Sequence, residues 1–255
     1  MRAVLAARDV AIHGGPRELV SELSLEFSPG EFVAILGRNG CGKTLTLHTL
    51  AGLKQAQCGD VLLDGVSLAQ LRRRAIAQRL GLLMQDLEDA FTTTALEAVL
   101  IGRHPHLALW QWESAADEAL ARHALADVGL ESFADRNVDT LSGGEQRRVA
   151  VATLLVQEPK IFLLDEPTNH LDPQHQLHVL GLFRSLADNG GTVIATLHDP
   201  TLAARYADKV ILLFGDGRWR AGPVQEVLTS ETLTELYITP MMEVAAHGRR
   251  VFVSA

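Results

Sequence analysis

Short apolar runs that end in glycines or polar residues are the clearest pattern along the chain. Residues 31–36, 161–164 and 192–197 are such runs; glycines follow the first, Asp165–Glu166 the second and His198–Asp199 the third. Continuous apolar runs of this length are typical of parallel strands that are buried on both faces. Because open α/β sheets bind ligands at the carboxyl ends of their strands, the pattern predicts one site where these polar residues meet.

The middle of the chain has a different pattern. Ala, Leu, Glu and Arg dominate there, and apolar residues recur at helical spacing over 115–128. Helices are also predicted to begin near Lys43 and to cover residues 75–80, and a further apolar strand is predicted at 210–214. We therefore expect a helical insert within an α/β core. The predicted division of the single domain, residues 1–255, is a core of 1–85 and 150–220, a helical subdomain of 86–149 and a C-terminal extension of 221–255.

Composition restricts the cellular compartment and the classes of binding partner that we expect. The 255 residues are 47% hydrophobic, and no uncharged run approaches the roughly 20 residues that cross a bilayer. Arg8 and Asp9 interrupt the start of the chain before a signal peptide could form, and Cys41 and Cys58 are too few for a disulfide framework, so we expect a reducing cytoplasm. A net charge of -8 with 5% aromatic residues argues against a nucleic-acid partner.

The most specific motif follows the first apolar run. It matches G-x-x-x-x-G-K-[ST] between a predicted strand and a predicted helix, the context that the motif requires. Its glycines let successive backbone N–H groups point inward, and the helix adds its positive end, which predicts a cradle for a polyphosphate. The residues of this phosphate loop are Gly37, Arg38, Asn39, Gly40, Cys41, Gly42, Lys43 and Thr44.

Three side chains in and near this loop have predicted roles in binding ATP and Mg²⁺. The ammonium of Lys43 would lie against the β and γ phosphates, and the hydroxyl of Thr44 would bind Mg²⁺. Asp165, at the end of an apolar strand, supplies the carboxylate that completes such a metal site. These features alone allow either a nucleotide hydrolase or a small-molecule kinase.

Cys41 has two interpretations. Helix-terminal N–H groups would favour its thiolate, so that an alkylating reagent blocks nucleotide binding and bound ATP protects the thiol. Alternatively, Cys41 is a small residue that fills a tight turn.

A second group of motifs carries a family resemblance. After the phosphate loop come Gln85, the segment Leu141-Ser142-Gly143-Gly144-Glu145-Gln146, Leu164-Asp165-Glu166-Pro167, the turn 168–172 and His198. In this order they closely resemble the motifs of ATP-binding-cassette (ABC) ATPases over nearly the whole chain. The resemblance implies an α/β fold: a P-loop NTPase (RecA-like) core with an antiparallel β subdomain and an inserted α-helical signature subdomain.

The resemblance also implies catalytic roles. Glu166 would be the base that orients or deprotonates the attacking water, and His198 would reach the γ-phosphate and hold Glu166 and the water in line. Gln85 would contact Mg²⁺ or the water through its neutral amide and couple the site to the helical insert. The resemblance places His13 at the position of the aromatic residue that stacks on adenine in this family.

A second copy of the chain is implied as a partner. In such ATPases two cassettes pack head to tail, and the signature residues of each close on the ATP that its partner holds. Asp172 would lie at the dimer seam, although a plain surface turn remains an alternative for it. The signature residues concerned are Ser142, Gly143, Gly144 and Glu145.

The segment Ile101-Gly102-Arg103-His104-Pro105-His106 resembles one found in ATPases that drive uptake of iron–siderophore complexes, heme and cobalamin. The resemblance implies a peripheral subunit on the cytoplasmic side of the inner membrane, with transmembrane permease subunits and, indirectly, a periplasmic or extracellular substrate-binding protein as partners. The two histidines are expected to flank a helix end rather than to bind metal. The rival hypothesis is a soluble ABC ATPase of iron–sulfur cluster assembly, and a simple kinase would give the LSGGEQ segment no role.

Overall fold

A computed structural model describes residues 4–85, 93–108, 110–246 and 248–255. The first residues of the predicted helical insert, 86–92, lie outside the described residues. The strands are β1 (Leu5–Gly14), β2 (Arg17–Phe27), β3 (Phe32–Gly37), β4 (Cys58–Leu63), β5 (Val66–Ser67), β6 (Leu80–Leu83), β7 (Ile161–Leu164), β8 (Thr192–Thr196), β9 (Lys209–Leu213), β10 (Trp219–Pro223), β11 (Met241–Ala246) and β12 (Arg249–Ser254).

The helices connect and cover these strands. They are α1 (Lys43–Leu50), α2 (Arg73–Ala77), α3 (Ala95–Leu100), α4 (Ala115–Asp127), α5 (Gly143–Val156), α6 (Pro173–Asp188), α7 (Pro200–Tyr206), α8 (Val224–Val227) and α9 (Ser230–Tyr237). In the part of the chain that the structure describes, no helix is both long and apolar enough to cross a bilayer.

The central sheet has the order β10-β9-β3-β8-β7-β6, and all its neighbours are parallel except β10 and β9. Its strands are buried on both faces because alternate side chains enter two different hydrophobic clusters. In β3, Phe32 and Ala34 face the cluster formed with α5 and α6, whereas Val33 and Ile35 face the cluster formed with α1 and the antiparallel strands. The continuous apolar runs of the sequence are thereby explained.

The antiparallel sheet, in the order β2-β1-β4-β5, packs on the second cluster. Leu47 and Leu50 of α1 are fully or almost fully buried in that cluster, so α1 lies between the two sheets. The indole of Trp219 donates from Nε1 to the carbonyl of Ser21 over 2.9 Å and links the edge of the parallel sheet to β2. This packing fixes the start of α1, and with it the phosphate loop.

The helices α3, α4 and α5 contact one another and pack with the first cluster. All three helix starts in this group carry reciprocal caps, in which a hydroxyl residue and an acidic residue satisfy each other's backbone N–H groups. The pairs are Thr94 and Glu97, Ser114 and Asp117, and Ser142 and Glu145. Arg103 then ties the group to the core, because its guanidinium bonds Asp117 over 2.8 Å and Glu158 over 2.7 Å.

The structure corrects one sequence-based helix and defines the C-terminal extension. The helix predicted over 75–80 is instead α2, which ends at Ala77, followed by β6, which begins at Leu80. The run Leu80-Gly81-Leu82-Leu83 pairs with β7 in parallel, so sheet pairing decides its conformation. In the extension, α9 and the β11–β12 hairpin pack beside α7, where the backbone N–H of Phe252 donates to Thr201 Oγ1 over 3.1 Å.

Candidate nucleotide site

The phosphate loop is a sharp turn between β3 and α1. Gly40 and Gly42 have φ of 76° and 105°, in the left-handed region that side chains with a Cβ rarely adopt. Gly42 is the N-cap of α1, and α1 begins at Lys43. The glycines of the motif are therefore required by the backbone path, and the positive end of α1 faces the loop.

A cleft of about 520 Å³ opens beside the loop. Lys43 lies within it, only 6% exposed, and its Nζ donates to the carbonyl of Gly37 over 3.0 Å. The cleft thus joins the loop to polar residues from the ends of β6, β7 and β8, as the sequence predicted. Its lining residues are Leu19, Asn39, Gly40, Gly42, Lys43, Thr44, Leu45, Gln85, Glu166, Asn169 and His198.

Asp165 is fully buried where β7 ends. Its Oδ1 accepts a hydrogen bond from Thr196 Oγ1 over 2.7 Å, while Oδ2 has no hydrogen-bond partner among the described residues. A buried carboxylate oxygen of this kind is costly unless a cation or a water completes it. Thr44 and Gln85 line the cleft, and Asp165 directly precedes Glu166, which lines it too. The oxygen atoms of these three side chains are of the kind that a hard divalent cation such as Mg²⁺ prefers.

Glu166 is held at both carboxylate oxygens. Its Oε1 lies 2.6 Å from His198 Nε2, and its Oε2 accepts from the side-chain amide of Asn169. The carboxylate is nearly buried, with 9% of the side chain exposed, whereas the imidazole of His198 is 44% exposed. The backbone of Glu166 has φ of 48°, an uncommon conformation for a residue with a Cβ.

Thr196, at the end of β8, connects the carboxylate of Asp165 to the backbone of Glu166. Its hydroxyl donates to Asp165 Oδ1 and accepts from the backbone N–H of Glu166 over 2.8 Å. Sequence reasoning missed Thr196, although its place at the end of an apolar strand was an available signal.

Arg147 of α5 is a second residue that sequence reasoning missed. It is 2% exposed, and its guanidinium donates to the main-chain carbonyls of Gln85 and of Glu166. The available signal was an arginine at a position whose helical neighbour Val151 is fully buried, on the apolar face of α5.

The signature residues begin α5. Ser142 is its N-cap, and Glu145 closes a capping box in which its carboxylate accepts from the backbone N–H and the hydroxyl of Ser142, each over 2.7 Å. These hydrogen bonds from Ser142 lower the pKa of Glu145. Gly143 and Gly144 provide the first turn, and a Cβ on Gly144 would lie 3.0 Å from the carbonyl of His170. Among the described residues, the lining of the cleft contains none of these four.

Asp172 lies at the start of α6, and His13 lies on β1. Asp172 is the N-cap of α6, where it accepts from the backbone N–H and from Nδ1 of His175, each over 2.9 Å. These hydrogen bonds lower its pKa. His13 lies on β1 opposite Glu18 of β2, with Nε2 3.9 Å from the carboxylate. The apolar side chains in the cleft are instead Leu19 and Leu45, which the sequence did not identify.

The first interpretation of Cys41, in which the loop favours its thiolate, is wrong, because the pKa of the thiol is raised rather than lowered. Burial raises the pKa of the Cys41 thiol, and this outweighs the lowering effects of Lys43 and of the loop N–H groups. The side chain is 3% exposed and packs in the turn, where a Cβ on Gly37 would lie 2.5 Å from its Sγ. The structure favours the second interpretation, a small residue that fills the turn.

The histidines near the insert bond main-chain carbonyls. His106 Nε2 lies 2.8 Å from the carbonyl of Gln157, and His178 Nε2 lies 2.6 Å from that of Asp127. Within the described ranges, no group of three or more His, Cys, Asp or Glu side chains is placed to hold a metal ion.

Comparison with known proteins identifies the family. The family model for the ABC transporter matches residues 20–169. The chain is 34% identical to the petrobactin import ATP-binding protein FpuD of Bacillus anthracis, over 98% of this chain and 97% of FpuD. It is 37% identical to the ferric enterobactin transport ATP-binding protein FepC of Escherichia coli, over 92% and 87%, respectively. It is 38% identical to the hemin import ATP-binding protein HmuV of Myxococcus xanthus, over 91% and 89%.

Solved structures give the same result. A chain of an ABC transporter assigned to the metal-chelate type, in an inward-facing conformation, matches with a TM-score of 0.86 and 28% identity over 99% of this chain and 98% of its own. A dimeric bacterial ABC transporter cassette matches with a TM-score of 0.76 and 28% identity over 86% of this chain and 98% of its own. The chain therefore belongs to the ABC transporter family, as an ATP-binding ATPase cassette with the α/β P-loop fold that its motifs predicted.

Proposed function

We propose that this chain is the ATP-hydrolysing subunit of an importer that takes up a metal chelate, an iron–siderophore complex, heme or cobalamin, through a separate permease. The observation that carries the proposal is the convergence of Lys43, Glu166 and His198 on one cleft. The relatives named for petrobactin, ferric enterobactin and hemin import support the class of cargo. Their similarity extends over nearly the whole chain and favours import over the cluster-assembly alternative.

The residues divide the work of hydrolysis. The loop N–H groups and Lys43 bind the β and γ phosphates, while Thr44, Gln85 and Asp165 would hold Mg²⁺. A cation held by these residues would supply positive charge against the negative charge that develops on the phosphate oxygens. Glu166 orients a water in line with the γ-phosphate and accepts its proton, and His198 holds Glu166 Oε1 at 2.6 Å in the required direction.

The site is completed by a second copy of the chain. The cleft lacks the signature residues, whereas Ser142 and Glu145 lie at the exposed start of α5. Two chains that pack head to tail would place the positive end of one α5 on the γ-phosphate held by the other. The dimeric cassette that this chain resembles supports this arrangement.

The permease is proposed to dock beside Gln85, on the cytoplasmic face of the membrane. Large apolar side chains are exposed on the chain segments that follow this strand end. Ile101 is 52% exposed, Trp110 91% and Trp112 86%. Arg74 and Gln78 of the core anchor this segment by donating to the carbonyl of Pro105 over 2.9 and 2.8 Å.

The test combines purification and transport. The chain is purified from its own host in mild detergent together with its membrane partner, reconstituted into vesicles, and assayed for ATP-dependent uptake of a radiolabelled ferric siderophore, hemin and cobalamin, with Glu166→Gln as the inactive control. We expect uptake of one of these compounds, lost in Glu166→Gln. Full recovery from the cytosol with a soluble iron–sulfur scaffold protein would instead support the cluster-assembly alternative.

A matched pair of variants tests the docking site. The double variant Trp110→Ala and Trp112→Ala is expected to lose the permease in detergent while it retains ATP binding. Leu53→Ala removes another exposed apolar side chain, 53% exposed, from the turn after α1 and is expected to retain the permease. Equal recovery of the permease with both variants would exclude the tryptophans from the docking site.

A further inference from the structure

Arg147 joins three parts of the site that lie far apart in the sequence. It belongs to α5, one and a half turns after Ser142, and its Nη2 donates to the carbonyl of Glu166 over 2.9 Å and to that of Asp165. Its Nη1 donates to the carbonyl of Gln85 over 3.3 Å and to that of Met84. One side chain therefore contacts the main chain at the ends of both β6 and β7.

The geometry of the guanidinium suits this role. Its N–H donors lie in one rigid plane, so that its position relative to several carbonyls is fixed when it bonds them together. Arg147 is 2% exposed, and its bonds are consequently shielded from competition with bulk water. A movement of α5 would therefore also displace these carbonyls.

The peptide of Glu166 is the part that most needs such support. Its φ of 48° is costly for a residue with a Cβ and persists only where the surroundings hold it. Thr196 Oγ1 holds the backbone N–H of Glu166 at 2.8 Å, and Arg147 holds its carbonyl at 2.9 Å. The direction of the Glu166 carboxylate follows from these two contacts together with His198 and Asn169.

We propose that Arg147 is a positioning residue, which sets the backbone of Glu166 and Gln85 according to the position of the signature helix. The inference rests on the proposed function, in which Glu166 acts on ATP and the start of α5 closes on the ATP of the partner chain. Docking of Ser142 on that nucleotide moves α5, and Arg147 conveys the movement to the catalytic carboxylate and to the glutamine beside the permease site. Arg147 itself does not contact the reacting atoms.

The neighbouring arginine provides a matched control. Arg148 lies on the same helix, and its Nη1 donates to the carbonyl of Val128 over 3.0 Å and to that of Gly129 over 3.4 Å, at the end of α4. Its contacts therefore stay within the helical insert. Arg147→Met and Arg148→Met remove the same charge and the same donors from adjacent positions, and only the first reaches the catalytic strand ends.

The experiment measures kcat and KM for ATP, the Kd for a fluorescent ATP analogue, and the thermal unfolding of each variant. For Arg147→Met we expect kcat to fall roughly 10- to 100-fold relative to Arg148→Met, with KM and Kd within about threefold of wild type. Arg147→Lys keeps some donors and is expected to give an intermediate kcat. In the Glu166→Gln background, Arg147→Met is expected to leave ATP-dependent dimer formation in place.

A kcat for Arg147→Met within about twofold of that for Arg148→Met would overturn the inference, as would loss of ATP binding in parallel with kcat. If Arg147→Met does not fold, Arg147→Lys decides the matter by the same comparison. A wild-type chain without ATPase activity would contradict the proposed function itself, and the inference with it. Wild-type activity with an unchanged Arg147 variant would remove only the inference.

Discussion

At the scale of single residues, hydrogen bonds with neighbouring side chains hold both the carboxylate and the backbone of Glu166. His198 contacts one of its oxygens, Asn169 the other, and Thr196 holds its backbone N–H. A general base acts efficiently only when its oxygen points at the proton that it removes. The contacts to Glu166 therefore orient its carboxylate as well as stabilise it.

Loss of the imidazole should leave the carboxylate without its directing contact. We predict that His198→Ala lowers kcat for ATP hydrolysis by about 10²-fold while the affinity for ATP changes little, because Lys43 and the loop remain. His178→Ala is the control, since that imidazole bonds the carbonyl of Asp127 on the protein surface. Retention of kcat within threefold in steady-state assays of His198→Ala would remove the histidine from the mechanism.

The cysteines should differ in reactivity in the order set by burial. Cys58 is exposed, whereas Cys41 is buried with a raised pKa, so less of its thiol is ionised at neutral pH. We predict that iodoacetamide at pH 7 modifies Cys58 first and Cys41 at least about tenfold more slowly, as measured by peptide mass spectrometry. If Cys41 in a Cys58→Ser variant is modified faster than Cys58 is in the wild type, and if ATP protects it, the reactive-thiol hypothesis would be restored.

The sequence was informative about residues in compact motifs and uninformative about residues that act from a distance. Lys43, Asp165 and His198 follow from strand ends and glycine spacing, because the chemistry needs those residue types next to a turn. Leu19 reaches the site through tertiary packing, and no local pattern connects it to the cleft. The place of Arg147 on the apolar face of α5 indicates that its side chain is buried, but not which carbonyls it bonds. The same limit explains Cys41, whose burial depends on the distant Gly215.

At the scale of elements, α4 shows how a cap and an ion pair combine. Asp117 accepts from the backbone and the hydroxyl of Ser114, which with Arg103 lowers its pKa to about 2. Its side chain is only 12% exposed, and Arg103 continues the contact to Glu158. The start of α4 is thereby fixed to the segment that precedes the proposed docking site.

Removal of that carboxylate should loosen α4. We predict that Asp117→Ala lowers the free energy of unfolding by about 2 kcal/mol, whereas Glu118→Ala, which removes an exposed pair with Arg122, costs less than about 0.5 kcal/mol. Urea unfolding at pH 7 measures both. Equal destabilisation by the two variants would show that the cap and the pair with Arg103 contribute nothing beyond helix propensity.

The contribution of Asp117 should also depend on pH in a defined direction. Because its pKa is lower in the folded chain, at about 2, than the ordinary value of 3.8, the stabilisation is fully present above pH 3.8 and is lost as pH falls toward 2. The difference in unfolding free energy between wild type and Asp117→Asn should therefore shrink over this range. A difference that grows on acidification would contradict the assignment.

Elements were predictable where a single pattern decided them. The strand at 161–164 has the bounds that its apolar run predicted, because burial on both faces leaves it little alternative. The helix predicted over 75–80 was right as far as Ala77, where α2 ends, and wrong at Leu80, which begins β6. Pairing with β7 decides the conformation there, and a short apolar run such as 80–83 does not by itself distinguish a buried helix from a buried strand. The hairpin β11–β12 was not predicted, since its residues are largely exposed and lack a clear alternation.

At the scale of the whole molecule, the cleft of one chain contains Lys43, Glu166 and His198, to which the proposed function assigns phosphate binding and activation of water. Among the residues that the structure describes, the cleft lining includes none of the signature residues. Those residues form a capped helix start elsewhere on the surface. Under the proposed function, the cleft of one chain and the signature residues of a second chain act together, with ATP between them. Stability of the dimer should therefore depend on the nucleotide and on whether it is hydrolysed.

The most direct test of this account is the light-scattering mass of Glu166→Gln with and without ATP and Mg²⁺. The account predicts a particle with the mass of one 27.7 kDa chain without nucleotide and with twice that mass in its presence, and ATP that remains unhydrolysed in the dimer. A mass that stays at one chain in saturating ATP, or a dimer that still turns ATP over, would contradict it.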